Sequence, residues 1–167
     1  RKIVFDGSRF WKFFWDDDAW IYCYSSDLIT WSSPSVLHNG SPETNAGIDL
    51  YIDGSDIYTI LHSKDHVDGF NFDYFRKGTI SGTSISWGPV RTLKTTAYGL
   101  TRGNSIVKST TGRLMVLVND CWDGQTICYY SLDNGENFNS ENIASFGSAY
   151  EYTGGLSVLK MLYGNCL

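Results

Sequence analysis

Acidic side chains recur in the short polar segments that separate the apolar runs of this sequence. Pairs of carboxyl groups on facing loops can act as general acid and general base, which is the chemistry that breaks a glycosidic bond. The acidic segments contain Asp16, Asp17 and Asp18; Asp49, Asp53 and Asp56; Asp65 and Asp68; and Asp120 and Asp123. A run such as 16–18 is also typical of a solvated turn, and its spacing does not match the calcium loop of an EF-hand.

Two histidines and several tryptophans are further candidates for binding or chemistry. His62 and His66 lie near Asp65 and Asp68 in the sequence, so a metal-binding or acid–base role is one hypothesis. A solvated, variable loop is the interpretation that we favour for both. Exposed indole rings could stack on sugar rings, although most tryptophans are expected in the core. The tryptophans considered are Trp11, Trp15, Trp20 and Trp122.

Cysteine usage speaks against a structural zinc site. The chain has four cysteines, none of them in a CxxC pair, and only three histidines, so we predict neither a metal site nor a cofactor. Cys121 and Cys128 flank a Trp-Asp-Gly turn. They are either a disulfide of an oxidising compartment or two buried thiols, and the sequence leaves both alternatives open.

The elements that must position these side chains form an internal repeat. Each copy has a glycine turn followed by an apolar run, and then an aromatic-rich run followed by a serine turn. The glycine turns are 6–8, 53–55 and 111–113, and the serine turns are 25–31, 81–87 and 131–138. A copy therefore reads as strand, glycine turn, strand, variable loop, strand, serine turn and strand. This is a four-stranded antiparallel meander of roughly 40–50 residues, the size of one propeller blade.

We therefore predict an all-β fold built from β-propeller blades in a single domain of residues 1–167. The predicted blades are residues 2–47, 48–97 and 98–147, and a partial blade covers residues 148–167. About three and a half blades do not close a ring, because propellers need at least about four. The predicted ring is incomplete, and further chain segments or self-association would complete it. The start at Arg1 without a methionine also indicates a chain that is processed or cut from a longer protein.

Charge and hydropathy argue against two classes of partner. The formal net charge is −5 and no cluster of lysine and arginine is present, whereas nucleic-acid binding requires a basic surface. No apolar run approaches the roughly 18 residues that a membrane-spanning helix needs. We therefore predict no nucleic-acid partner and no membrane span.

One of the serine turns carries a specific motif. Ser131-x-Asp133-x-Gly135-x-x-Phe138 matches the pattern Ser-x-Asp-x-Gly-x-x-Trp/Phe, so the chain resembles the Asp-box (BNR-repeat) β-propellers of the sialidase-like superfamily. In such a turn the aspartate accepts backbone N–H groups, the glycine adopts positive φ, and the aromatic ring packs beneath. The other two copies are one residue shorter and lack this glycine. The resemblance covers sialidases, other glycoside hydrolases, sugar-binding modules and structural proteins, and the fold alone does not choose among them.

The segment 101–107 resembles sialidases more narrowly. It is similar to the stretch of that family whose arginine begins a triad that clamps the substrate carboxylate, which implies this role for Arg102. A planar guanidinium suits the role because it holds a carboxylate through two parallel hydrogen bonds. Gly103 and Asn104 stand where the family has Ile-Pro, which is a departure from the pattern.

Two further segments follow in the order that sialidases have. The resemblance implies that Asp123, in the loop 120–124, handles the proton of the leaving group, with Trp122 beside it in the substrate site. Residues 152–159 are similar to the stretch around the nucleophilic tyrosine, which implies that Tyr152 is the nucleophile and Glu151 its base. Neighbours on a strand point to opposite faces, which weakens the pairing of Glu151 with Tyr152.

The sequence thus supports two functions of different classes. The first is a carbohydrate-handling propeller that binds or hydrolyses a glycan, placed outside the cell or on a cell or virion surface. The alternative is a structural or interaction propeller without catalysis. Sialidase chemistry needs three arginines directed at the carboxylate, and only Arg102 has a family-like context, so activity as an enzyme is left open. The other candidates for the triad are Arg9, Arg76, Arg91 and Arg113.

Overall fold

The computed structural model describes residues 1–17, 19–39, 47–64, 70–97, 104–120 and 125–145, which contain twelve β-strands and no helix. The first four strands are β1 (Lys2–Phe5), β2 (Phe10–Asp16), β3 (Ala19–Ser25) and β4 (Ser35–Asn39). The next four are β5 (Ile48–Asp53), β6 (Asp56–Lys64), β7 (Phe70–Ser81) and β8 (Ser84–Ala97). The last four are β9 (Ser105–Lys108), β10 (Leu114–Asp120), β11 (Gln125–Ser131) and β12 (Asn139–Ser145).

The strands form three separate four-stranded antiparallel sheets, in which the hydrogen-bonded order follows the chain. Strands β1–β4 are blade 1, β5–β8 are blade 2 and β9–β12 are blade 3. Strand β5 contacts both β1 and β9, so the first strands of the blades are neighbours and we call them the inner strands. The predicted all-β fold of four-stranded propeller blades is confirmed. The predicted partial blade at 148–167 lies outside the described residues.

Glycine turns join the first and second strands of each blade, as the repeat predicts. Gly7, Gly54 and Gly112 have φ of 98°, 59° and 86°, a conformation that only glycine adopts readily. We call the edge of the blades that bears these turns, together with the turns between third and fourth strands, the lower edge. The opposite edge, where second strands end and third strands begin, is the upper edge.

The core between blades 1 and 2 follows from the alternation of large apolar side chains. In β2 and β3 every second residue is aromatic and points toward blade 2. The buried members from blade 1 are Trp11, Phe13, Trp20, Tyr22 and Leu37, and those from blade 2 are Leu50, Ile57, Leu61 and Ile85. Stacking of the two sheets removes these side chains from water, which is the main stabilising term for such a fold.

A second core lies between blades 2 and 3. Strand β6 is apolar on both faces, because Ile57 and Leu61 face blade 1 while Tyr58 and Ile60 face blade 3. The buried residues of this second core are Tyr58, Ile60, Phe75, Ile106, Leu114, Val116 and Val118. Blade 2 is therefore covered on both faces, as a blade inside a propeller must be.

The turn between β11 and β12 has the geometry that the motif predicts. The Asp133 carboxylate accepts the Asn137 backbone N–H at 2.9 Å and the Ser131 hydroxyl at 2.7 Å. Gly135 has a φ of 90°, and the Phe138 ring packs edge-on against Phe75 with centroids 4.8 Å apart. Hydrogen bonds from Ser131 and Asn137 lower the pKa of Asp133 to about 2. The motif thus docks blade 3 onto blade 2.

The two other serine turns differ from each other. In blade 1 the Asp27 carboxylate accepts the backbone N–H groups of Ile29 and Thr30, both at 2.8 Å, so the shorter copy keeps the motif's bonding. In blade 2 the turn is a tight hairpin in which Ser81 pairs with Ser84. Two residues, Gly82 and Thr83, therefore connect the third and fourth strands of this blade.

Candidate functional site

Polar side chains gather where the inner strands of blades 2 and 3 begin, at the upper edge. We call this group the upper inner cluster. Its members are Lys2, Asp49, His62, Asp73, Asn104 and Ser105. They come from three blades, although the chain places them far apart in sequence. The cluster contains two carboxyl groups, one imidazole, one amide, one hydroxyl and one ammonium group.

Asp49 connects all three blades. It lies on β5, is 9% exposed, and one of its carboxylate oxygens contacts the Lys2 ammonium group of blade 1. The other oxygen accepts hydrogen bonds from the Ser105 hydroxyl and the Ile106 backbone N–H of blade 3, each at 3.1 Å. A buried carboxylate needs such partners, since its desolvation is otherwise costly. Asp49 therefore sets the relative positions of the inner strands.

His62, Asp73 and Asn104 form the second part of the cluster. His62 on β6 is paired with Asp73 on β7, and the imidazole Nδ1 lies 3.2 Å from an oxygen of the Asp73 carboxylate. The same oxygen accepts a hydrogen bond from the Asn104 side-chain amide at 2.6 Å. The backbone N–H of His62 donates to the Gly47 carbonyl at 2.8 Å. Through Asp73, blade 2 holds Asn104, the residue that directly precedes β9 of blade 3.

The side-chain oxygen of Asn104 is the one buried unsatisfied polar atom of the upper inner cluster among the described residues. This oxygen is buried and has no hydrogen-bond partner among the described residues. A buried polar atom without a partner is unusual in a folded protein, and a bound molecule or water commonly satisfies it. Trp20 Nε1, Trp87 Nε1 and Arg113 Nε are likewise buried without a partner in the described part of the chain.

All five site residues that the sequence predicts lie outside the described residues. They are Arg102, Trp122, Asp123, Glu151 and Tyr152, and their roles stay predictions. Two of their segments are nevertheless joined to described strands at the upper edge of blade 3, because β9 begins there and β10 ends there.

Two interpretations from the sequence are wrong for the cluster residues. His62 is 4% exposed on β6, whereas the sequence analysis favours a solvated loop. Asp49 is also a strand residue, although the sequence analysis treats it as part of an acidic loop. The alternation of Tyr58, Ile60 and His62 on one face of β6 is the signal that could have placed His62 in a buried strand.

Sugar stacking by two of the candidate tryptophans is also excluded. Trp11 and Trp20 are 0% and 1% exposed in the core between blades 1 and 2. Trp15 is half-buried and packs edge-on against Trp20, with ring centroids 5.6 Å apart. These three rings therefore serve packing within blade 1 and against blade 2.

The four arginines considered as triad partners make other contacts. Arg76 donates from Nε to the Gly88 carbonyl at 2.8 Å and from Nη1 to the Leu37 carbonyl of blade 1. Arg91 pairs with Glu136, and the remaining two lie near the lower edge. Arg9 donates to the Gly82 carbonyl and Arg113 stacks on Tyr130. The structure does not join any of these four to the upper inner cluster through a described contact.

The described part of the chain contains no set of side chains that could bind a metal ion. No three His, Cys, Asp or Glu side chains lie together there in a way that could hold an ion. Within the same ranges, no helix has the length and hydropathy of a membrane span. Cys121 lies outside the described residues, so both alternatives for Cys121 and Cys128 stay open.

Comparison with known proteins identifies a similar fold. The sequence matches no protein-family model and no curated protein. Among solved structures, the chain is similar to an exo-β-1,3-galactanase from Phanerochaete chrysosporium, a β-propeller. A variant of that enzyme with β-1,3-galactotriose has a TM-score of 0.54 and 15% identity over 88% of this chain. The galactanase with galactose has a TM-score of 0.53 and 14% identity. The chain spans 38% of the galactanase's length, so the likeness concerns the fold of three blades.

Proposed function

We propose that this chain is part of a carbohydrate-handling β-propeller that holds a glycan at the upper inner cluster. The observation that carries the proposal is the convergence of Asp49, His62, Asp73 and Asn104 at the upper ends of the inner strands. The similar galactanase supports the proposal, since it has the same blade fold and is known with galactose and galactotriose bound. Ligand sites commonly occur where several elements of a fold end together.

The chemistry of the cluster suits a ligand with many hydroxyl groups. Sugar hydroxyls both donate and accept, so they need a mixture of acceptors and donors held in fixed directions. The Asn104 amide is fixed by Asp73, and its oxygen is left to accept. Lys2 is partly exposed beside Asp49 and supplies a donor from blade 1. A rigid strand framework positions these groups more accurately than mobile loops would.

The finer part of the proposal is a sialidase-like site. In it Arg102 binds a ligand carboxylate, Trp122 lines the site and Asp123 protonates the leaving group. Tyr152 acts as nucleophile with Glu151 as its base. The support for this part is the resemblance of the three sequence segments. An extracellular or surface location belongs to the same part of the proposal.

The proposal is tested by glycan-array binding and by hydrolysis of fluorogenic glycosides, including galactosides and sialosides. We expect binding by the wild-type protein, and a loss of at least about tenfold on Asp49→Asn or Arg102→Gln because each removes a charged partner. Asp53→Asn is the matched control, since Asp53 lies on the same strand β5 but at the lower edge and pairs with Lys108. No signal on the array and no hydrolysis of any glycoside would rule out carbohydrate handling.

A second function, assembly through blade faces, rests on a different observation. The face of blade 1 that points away from blade 2 exposes large apolar side chains. Ile3, Phe5 and Val36 are each more than half exposed, and the Phe5 and Phe10 rings are 4.7 Å apart. Exposed apolar surface of this kind favours association with another blade. Sedimentation at high concentration tests this function: a wild-type protein that stays monomeric argues against it, and an oligomer that Phe5→Glu dissociates supports it.

A further inference from the structure

A groove of about 310 Å³ lies on the face of blade 2 that points away from blade 1. It is next to the turn between β11 and β12 of blade 3. Its walls are strands β7 and β8 of blade 2 and the turn between β11 and β12. The polar side chains that line it are Lys77, Thr79, Ser86, Arg91 and Glu136. The groove is separate from the upper inner cluster, and none of the functions considered so far uses it.

A β-bulge opens the sheet at this groove. Arg76 is paired with Val90 and Gly78 with Trp87, so two residues of β8, Gly88 and Pro89, face the single residue Lys77 of β7. Proline has no N–H to donate to the ladder, and bulges occur next to functional sites because they redirect side chains. The recess is therefore a consequence of the Gly88-Pro89 sequence.

Three glycines form part of the lining of the groove. Gly78, Gly88 and Gly135 line it with backbone alone. A Cβ on Gly135 would lie 2.5 Å from the Phe75 ring, and a Cβ on Gly78 would lie 2.7 Å from Trp87. Both Cβ atoms would overlap with an aromatic ring, so we expect glycine to be required at these two positions. A volume of about 310 Å³ is at the lower end for small-molecule sites and suits a single sugar ring.

Two cations face this groove, and each is paired with a carboxylate of the protein. Arg91 binds Glu136 through one nitrogen at 2.5 Å, and Lys77 binds Asp56 at 2.9 Å. Glu136 is 65% exposed on a turn, and exposed ion pairs contribute little to stability. A guanidinium can hold two carboxylate oxygens at once, so a ligand carboxylate could take the place of Glu136.

We propose that this groove binds a carboxylate-bearing sugar residue, a uronate, whose carboxylate pairs with Arg91 and Lys77. Thr79 and Ser86 are exposed along the same walls. The Ser86 hydroxyl can bind a ring hydroxyl, and the Thr79 hydroxyl, which donates to Asp56 at 3.5 Å, can still accept from one. The Glu136 carboxylate is then a competitor for Arg91 rather than a ligand-binding group. This site does not depend on the function proposed for the upper inner cluster.

The test is an NMR titration of the ¹⁵N-labelled protein with D-glucuronate and, in parallel, with D-glucose, which has a hydroxymethyl group in place of the carboxylate. We expect glucuronate to shift the amide signals of Ser86, Gly135 and Glu136, while glucose at the same concentration leaves them in place. Arg91→Gln should weaken glucuronate binding by at least about tenfold because it removes a charge-assisted contact. Arg1→Gln is the matched control, since Arg1 is an exposed residue directly before β1 of blade 1 and should leave the affinity unchanged.

Glu136→Gln separates binding from a structural role of the ion pair. If Glu136 only competes for Arg91, its replacement should strengthen glucuronate binding several-fold, whereas a structural role would weaken it. Equal shifts with glucose or with sodium acetate, shifts spread over other blades, or no binding of glucuronate would each overturn the proposal. The outcome is independent of the test of the upper inner cluster, because no residue of that cluster lines the groove.

Discussion

Asp133 shows how much of the motif turn depends on one carboxylate. Its two oxygens accept hydrogen bonds from the Ser131 hydroxyl, the Asn137 backbone N–H and the Asn137 side-chain amide. These bonds favour the ionised form, so the pKa of Asp133 falls from 3.8 to about 2. A lowered pKa in the folded state means that the carboxylate stabilises the fold above pH 3.8 and loses this effect as the pH falls toward 2.

The first prediction concerns this pH dependence. Asp133→Asn should lower the melting temperature at pH 7, and the difference from the wild type should shrink as the pH is lowered from 3.8 to about 2. Melting followed by circular dichroism at several pH values measures it. Glu141→Gln on the exposed surface of β12 is the control and should melt like the wild type at pH 7. A difference that stays constant down to pH 2 would contradict the argument.

The second prediction compares two glycines of positive φ. Gly135→Ala combines the strain of a φ of 90° with a Cβ that meets the Phe75 ring. Gly54→Ala has a φ of 59° and no neighbouring atom within 4 Å, so it has only the conformational cost of about 1 kcal/mol. We expect Gly135→Ala to destabilise by more than about 2 kcal/mol in urea unfolding, because overpacking adds to the strain. Equal losses in the two variants would show that the contact with blade 2 is unimportant.

At the scale of elements, blades 1 and 2 are joined by polar as well as apolar contacts. Arg76 on β7 reaches the Leu37 carbonyl of β4 and the Gly88 carbonyl of β8. Its guanidinium also lies over the Trp87 ring at 5.7 Å. One side chain thus satisfies two carbonyl groups and covers an aromatic ring of the core between the blades.

The third prediction follows from these contacts of Arg76. Arg76→Met keeps the length of the side chain but leaves both carbonyl groups without their donor, so we expect a loss of about 1–3 kcal/mol in chemical unfolding. Arg9→Met removes an exposed hydrogen bond to Gly82 and should cost less than about 0.5 kcal/mol. If the two substitutions destabilise equally, Arg76 has no special role between the blades.

At the scale of the whole molecule, the described blades are coupled through their shared cores and through Asp49. Blade 2 contributes to both cores, and Asp49 contacts blades 1 and 3 at once. In repeat architectures, neighbouring units lend each other stability through such interfaces. The upper inner cluster exists only while all three blades are docked, because its members come from each of them.

The fourth prediction is that these blades unfold together. Tryptophan fluorescence reports mostly on blades 1 and 2, whereas far-ultraviolet circular dichroism reports on all strands, and we expect the two urea transitions to coincide. Phe75→Ala in the second core should shift both transitions to lower urea by the same amount, with a loss of about 3–5 kcal/mol. Separate midpoints for the two probes would show that the blades unfold independently.

The local elements of this fold could be predicted from the sequence. The glycine turns at 6–8, 53–55 and 111–113 and the bonding of Asp133 depend on residues within a few positions of each other, so short patterns reveal them. Strand alternation predicts the four-stranded blade for the same reason. The predicted roles of Arg102 and Tyr152 rest on family resemblance and stay predictions.

Only the tertiary structure decided which polar groups meet. Asp49 and Ser105, or Asp73 and Asn104, lie on different blades, and their contact depends on how sheets stack rather than on any local pattern. The same holds for the groove beside Arg91, which needs a bulge in one blade and a turn from the next. The sequence by itself determined the blade and its turns, because these use local hydrogen bonds and alternation. The stacking of blades determined the sites, because burial of apolar faces sets which edges come together.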